Sequence, residues 1–239
     1  CYATSKHPTK GFEYQGVIVS NCDLHIDTYK PAEKPMYYGG NNHGSIVEIN
    51  GEWYIFYHRH TNGTAFSRQG CMEKIKFNDD GTIPQVEMTS CGSIEEPLPG
   101  KGEYPAYLAC NLFCKEESMY TDWTGSWMNN QFPKITQDGG DGDEEIGYIA
   151  NMKDSATAGF KYFDCKGVKK VKIKVRGYCD GEFEVKTAWN GEPLGSIKVG
   201  FSNIWKEYSA DIAIPDGVQS LYFTYRGNGS AHLASFTLE

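Results

Sequence analysis

The chain has 239 residues and a net charge of −8, from 23 Lys and Arg against 31 Asp and Glu. That balance argues against a nucleic-acid partner, which calls for a basic face, and no apolar run reaches the roughly 18 residues of a membrane-spanning helix. The length fits one or two domains, each able to bury a core.

The first residues, "CYATSKHPTKG", hold no basic n-region and no apolar h-region, so they do not read as a signal peptide. With no initiator Met, an interior fragment or processed product is expected, from a secreted, periplasmic or cytoplasmic parent. Eight cysteines lie at 1, 22, 71, 91, 110, 114, 165 and 179. Only Cys110 and Cys114 are close, and no CxxC occurs, so scattered free thiols are expected rather than a zinc site.

Most of the chain has period two. "SIVEI" and "EWYIFYH" flank Asn50-Gly51, a strong hairpin signal. "KIKF" and "IPQVEM" flank "NDDG". The stretch "GSIEEPLPGKGEYP" within 92–105 has no strand period and marks a boundary between two domains, 1–95 and 104–239. "QDGGDGDEE" at 137–145 holds five acidic residues but not the spaced pattern of a calcium loop, so it reads as an acidic loop. Further on, "VKKVKIKVRGY" and "EFEVKTAW" flank Asp180-Gly181, "EVKTAW" and "LGSIKV" flank "NGEP", and "QSLYFTYRG" and "AHLASFTLE" flank "NGS"; each pair predicts a hairpin. Lys170, Lys172 and Lys174 alternate, as on the solvated face of a strand. No dozen residues keep a helical stripe, so the fold class is all-β. The 14% of aromatic residues, 16 of them Tyr, suits both β-cores and flat sugar faces.

At "YATSKHPTKGFEYQGVIV", "NNHGSIVEINGEWYIFYHRH" and "FSRQ…NDDGTIPQVEMT" the sequence resembles glycoside hydrolase family 43, five-bladed β-propellers that include arabinofuranosidases, xylosidases and arabinanases. The likeness covers residues 1 to about 92, the C-terminal part of such a catalytic domain. From about 104 onward, "EEIGYIANM", "FKYFDCKGVKKVKIKV", "SNIWKEYSADI" and "GVQSLYFTYRGNGSAHLASFTL" resemble a family 6 carbohydrate-binding module, a jelly-roll β-sandwich.

The resemblance implies roles for single residues. His43 matches a histidine beneath the propeller's active site that ligates a calcium or its water shell. Calcium prefers oxygen, so one imidazole is a minor partner, and a His hydrogen-bonded in the Asn41–Gly44 turn is the plain alternative. Arg68 matches an arginine that reaches the sugar; the alternative is a surface ion pair. In the module, Tyr148 and Trp205 fall at two ring positions that sandwich a pyranose, and His232 at an Asn position, with Asn228 a nearby substitute. Ala234 stands where the module's calcium has an Asp. The family is inverting and uses an Asp base, a second Asp and a Glu acid, all upstream of the "YATS" word. Asp23 and Asp27 do not match them and read as solvated loop carboxylates. The implied partners are a plant cell-wall saccharide and the missing N-terminal blades. The expected function is therefore a non-catalytic portion of a hemicellulose-cleaving hydrolase, with a stand-alone sugar-binding protein as the alternative.

Overall fold

A computed structural model describes residues 1–23, 26, 42–62, 66–94, 96–113, 133–140 and 147–239. Asp27, Asn41, Cys114 and residues 141–145 of the acidic loop lie outside the described residues. Among the described residues there is no α-helix.

The first region has two small antiparallel sheets. Strands β1 (Tyr2–Thr4) and β2 (Glu13–Gly16) form one. Strands β3 (Ser45–Ile49), β4 (Glu52–His60) and β5 (Arg68–Ile75) form the other, a meander. Ile49 pairs directly with Glu52, so Asn50 and Gly51 make a two-residue turn. Both have positive φ, 54° and 85°, the mirror-image turn that matches strand twist. The strand expected in "IPQVEM" is reduced to one isolated bridge, Val86 to Val19. Ile18, Ile55, Tyr57, Ile75, Ile83 and Met88 form this region's small core.

The second region is built on strands β6 (Leu98–Pro99), β7 (Gly102–Pro105), β8 (Asn111–Phe113), β9 (Lys134–Gln137), β10 (Gly147–Met152), β11 (Thr157–Cys165), β12 (Lys170–Lys186), β13 (Gly195–Val199), β14 (Ser202–Asp211) and β15 (Gly217–Leu238). Its strand pairing starts at Leu98: β6 lies parallel to β11 and β7 antiparallel to β15. The segment 92–105 therefore carries strands despite its Pro and Gly.

Strands β12 and β15 pair along nearly their whole length, Val171 with Leu238 through Lys186 with Tyr222. One half of this ribbon joins β14, β10, β7 and β9; the other half joins β13, β11, β8 and β6. Each long strand thus serves both layers of the sandwich. Asp180-Gly181 and "NGS", expected as hairpin turns, lie inside continuous strands where the ribbon passes between layers. Gly181 faces Gly227 there, and a Cβ on Gly181 would overlap the Arg226 carbonyl oxygen. The glycines permit close backbone approach rather than chain reversal. Val171, Ile173 and Val175 point inward, while Lys172 reaches Glu239 at 2.6 Å, consistent with the solvated lysine face. Phe160, Phe163, Phe183, Phe223 and Phe236 fill the core between the layers.

The two regions meet along a polar seam. Lys161, 1% exposed, leaves β11 and places Nζ 3.1 Å from Asp23 Oδ2 and 2.7 Å from Glu87 Oε1. Asp23 is fully buried and its Oδ1 accepts from the Met88 amide at 2.6 Å. It was expected as a solvated loop carboxylate; the ion pair is what allows it to be inside. Burial alone would pull Lys161 down, but Cys110, Asp23 and Glu87 together hold it above the ordinary lysine range. Tyr162 donates to the second Glu87 oxygen at 2.6 Å. Across the same seam, buried Arg59 donates to the carbonyls of Tyr107 and Ala109, and Cys110 packs into the core of the first region.

Replacing Lys161 by Ala leaves both carboxylates facing the seam without their cation. The cost expected for breaking a buried pair is about 3–5 kcal/mol, read as a lower urea midpoint of one cooperative transition. Inside the first region, Glu73 accepts from Tyr57 Oη at 3.3 Å and from the Thr89 amide at 2.8 Å. Burial raises its carboxyl from 4.5 to about 7, against the pull of these hydrogen bonds. The native state then holds a proton that the unfolded chain has released, so this group's contribution falls as pH rises from about 4.5 to about 7. Glu73→Gln should flatten that part of a stability–pH profile measured by chemical denaturation.

Candidate functional sites

Strand alternation assembles the first site. His58 and His60 lie two apart at the end of β4 and face the same way, with ring centroids 5.9 Å apart. The His43 ring sits 5.6 Å from His58, with His43 Nδ1 3.4 Å from His58 Nε2. The His43 amide also donates to His58 Nε2 at 3.1 Å, and Asn42 Oδ1 accepts from the His58 amide. Gly44 makes this approach possible, because a Cβ there would come within 2.6 Å of the Phe56 carbonyl oxygen. Arg68 pairs with His60 across β4 and β5, on the same face.

Three imidazoles and a guanidinium therefore share one patch. Burial lowers the His58 pKa first, and Arg68, His60 and His43 lower it further, so His58 is neutral at pH 7. The sequence pointed to His43 and Arg68; His58 and His60 were legible only as an alternating pair. Arg59, between them, points the other way into the seam. Among the described residues no three His, Cys, Asp or Glu side chains gather to hold a metal. The partner of His43 is the His58 imidazole, a nitrogen group, whereas calcium prefers oxygen ligands. Arg68 is exposed, and its Nη1 donates to the Phe66 carbonyl at 3.3 Å. It also lines a groove of about 550 Å³ on the seam with Asn62, Gln69, Tyr107, Thr136 and Gln137.

The second site lies on the outer face of the β9–β10–β15–β12–β14 layer. Tyr148, His232 and Trp205 come together there. They do so as a packed cluster and not as an open sandwich. The Tyr148 and Trp205 centroids are 5.2 Å apart at 69°, edge to face. A sugar held between two rings needs about 7–8 Å, two van der Waals contacts of roughly 3.5–4.0 Å. Arg176, which the sequence reading missed, closes the space. Its guanidinium carbon is 4.9 Å from the Tyr148 centroid and 4.3 Å from that of Trp205. Nη2 of Arg176 and the Tyr148 hydroxyl both donate to Asp138 Oδ1, at 2.6 and 3.0 Å. The Arg176 hydrogen bond is the main reason the Asp138 carboxyl sits below the usual range.

His232 packs edge-on to Tyr148 at 5.6 Å, and its Nδ1 accepts from the Asn151 amide at 3.4 Å. That bond selects the Nε2–H tautomer. Burial first, then Arg176, lowers its pKa. Ala234 is buried against Tyr148 and Ala150. Asn228 pairs with Asp180 further along the ribbon, four residues from His232 in the strand.

Six cysteines, at 1, 71, 91, 110, 165 and 179, are free thiols, as expected. Cys110 is raised to about 11 by burial and is inert at neutral pH.

No family model matches the chain. It is 84% identical over its whole length to a xylosidase/arabinosidase of Thermoclostridium stercorarium. It is 26% identical over 97% of its length to an arabinoxylan arabinofuranohydrolase of Paenibacillus polymyxa. It spans 50% of the first relative and 34% of the second. Among solved structures, a glycoside hydrolase family 43 arabinoxylan arabinofuranohydrolase from Bacillus subtilis matches 99% of this chain, with a TM-score of 0.53 and 19% identity, over 46% of its own length.

His232 is expected to titrate below the ordinary histidine value of 6.5 in an NMR pH series. Arg176→Ala removes a positive charge that lowers it and should move that midpoint upward. A midpoint unchanged by the substitution would mean that His232 does not feel the Arg176 charge.

Proposed function

We propose that the chain is the substrate-holding portion of a family 43-type glycoside hydrolase that carries a family 6-type carbohydrate-binding module and cleaves arabinofuranosyl or xylosyl units from plant hemicellulose. One observation carries this reading: the Lys161 and Arg59 seam locks the sandwich onto the hairpin that bears His43, His58, His60 and Arg68. An aromatic, sugar-compatible face and a hydroxyl-binding patch are thereby fixed in one body.

In such a reaction an acid protonates the glycosidic oxygen and a base activates water from the opposite side. The family's Asp base, second Asp and Glu acid have no match in this chain, and Asp23 is committed to Lys161. The role left to this chain is positioning. Arg68 offers a forked set of donors to sugar hydroxyls, and neutral His58 can donate or accept one hydrogen bond. Were calcium bound beneath this patch, His43 would meet the ion or its water shell as a minor partner, since calcium prefers oxygen. On the sandwich, Trp205 and Arg176 offer a ring edge and a donor fork to a saccharide, with Tyr148 and His232 holding them in place.

The chain by itself should not turn over aryl arabinofuranosides or xylosides, because a missing acid–base pair forfeits roughly 10²–10⁴-fold per group. Mixing it with a polypeptide carrying the remaining blades should restore turnover. In that mixture Arg68→Ala should lower kcat/KM by about 10- to 100-fold, the worth of a charged hydrogen bond. Robust turnover by the chain alone would overturn the reading. Oligosaccharide binding without any restored turnover would favour a stand-alone sugar-binding protein.

A further inference from the structure

We propose that Tyr178 and Phe201 form an open stacking platform for a neutral plant polysaccharide chain, adjoining the Tyr148–Trp205 cluster that Arg176 closes. This rests on the reading of the sandwich as a carbohydrate-binding module and adds a subsite to it.

The two rings are 79% and 59% exposed, and their centroids are 4.8 Å apart with planes 37° from parallel. Large apolar side chains left in water together, on a regular β framework, are unusual unless something covers them.

The framework holds the rings ready. Tyr178 lies two residues beyond Arg176 on β12, on the same face of the strand. Gly177 pairs with Ser202, which sets the Phe201 turn beside Tyr178. The Gly200 carbonyl just before Phe201 accepts from Tyr208 Oη at 2.9 Å and from the buried Cys179 thiol at 3.6 Å. Ser202 Oγ donates to the Ile204 carbonyl at 2.7 Å and accepts from the Ile204 amide at 3.3 Å, which ties the turn after it. Rings fixed in advance lose little entropy when a ligand covers them.

The chemistry favours a sugar. Two side chains are far too small a patch for a stable protein interface, which takes about 800 Å² per partner. Neither carries a charge, which suits a neutral ligand. A pyranose presents an apolar C–H face that stacks on such rings. The exposed Asn203 amide, near the start of β14, supplies a paired donor and acceptor for adjacent hydroxyls. The position relative to Arg176 gives the direction: a chain touching the Trp205 edge continues over Tyr178 and Phe201, so the platform matters for long ligands more than short ones.

The test is calorimetric titration of the full chain with xylobiose and xylohexaose, and retardation in gels containing soluble arabinoxylan. The double variant Tyr178→Ala/Phe201→Ala should lose about tenfold or more in xylohexaose affinity, the scale of one or two ring contacts, and keep its xylobiose affinity. Tyr178→Phe, which keeps the ring, should retain both affinities. Trp205→Ala should weaken both ligands. Xylohexaose affinity within twofold of the unaltered chain in the double variant would overturn the platform and leave the sugar-binding reading standing. No binding of either saccharide or of arabinoxylan by the unaltered chain would overturn both. A change of oligomeric state in the double variant, with sugar affinity unchanged, would show a self-association face instead. Unchanged thermal unfolding of the variants confirms that any loss is local.

Discussion

A lysine ammonium inside the protein needs partners, and that requirement organises this molecule. Lys161 stands in a strand between Phe160 and Tyr162 and reaches its carboxylates in a different region of the chain. Taking one charge out of water costs several kcal/mol, and neither Asp23 nor Lys161 could be so deeply buried alone. The two regions must therefore dock in the one arrangement that brings these groups within hydrogen-bonding distance. Arg59 adds a second fixed point by capturing two carbonyls of the segment entering the sandwich. Apolar contact then fills in around them, with Cys110 crossing into the smaller core.

The sandwich meets a different constraint. Two long strands cross from one layer to the other, and the crossing needs backbone without side chains at the point of closest approach. Gly181 and Gly227 meet that need. The same ribbon carries Arg176, Tyr178 and His232 outward, so the outer face that can meet a saccharide is organised by strands whose other side is the core.

The legible part of this fold was local. Asn50-Gly51 could be read from two residues because the turn's φ values exclude most others. The lysine face of β12 followed from alternation. Asp180-Gly181 misled because composition is the same for a chain reversal and for a close strand crossing; only the partner strand distinguishes them. The seam was unreadable for a related reason: a single Lys in an apolar strand carries no periodic signal, and its Asp partner lies 138 residues away. At the candidate sites, the convergence of Tyr148, Trp205 and His232 was carried by resemblance and not by spacing. The closure of their cleft was missed because Arg176 lies outside the words that carried that resemblance.

The placement of Cys110 has a consequence for how the protein can be divided. Its thiol belongs to the core of the first region although its backbone enters the sandwich. A cut anywhere between 92 and 105 leaves the first region with a hole where a sulfur had been and the sandwich with an apolar side chain turned to water. The two folds are separable on paper and continuous in matter. Anyone transplanting the sandwich as a cassette would be moving a piece of its neighbour's interior along with it.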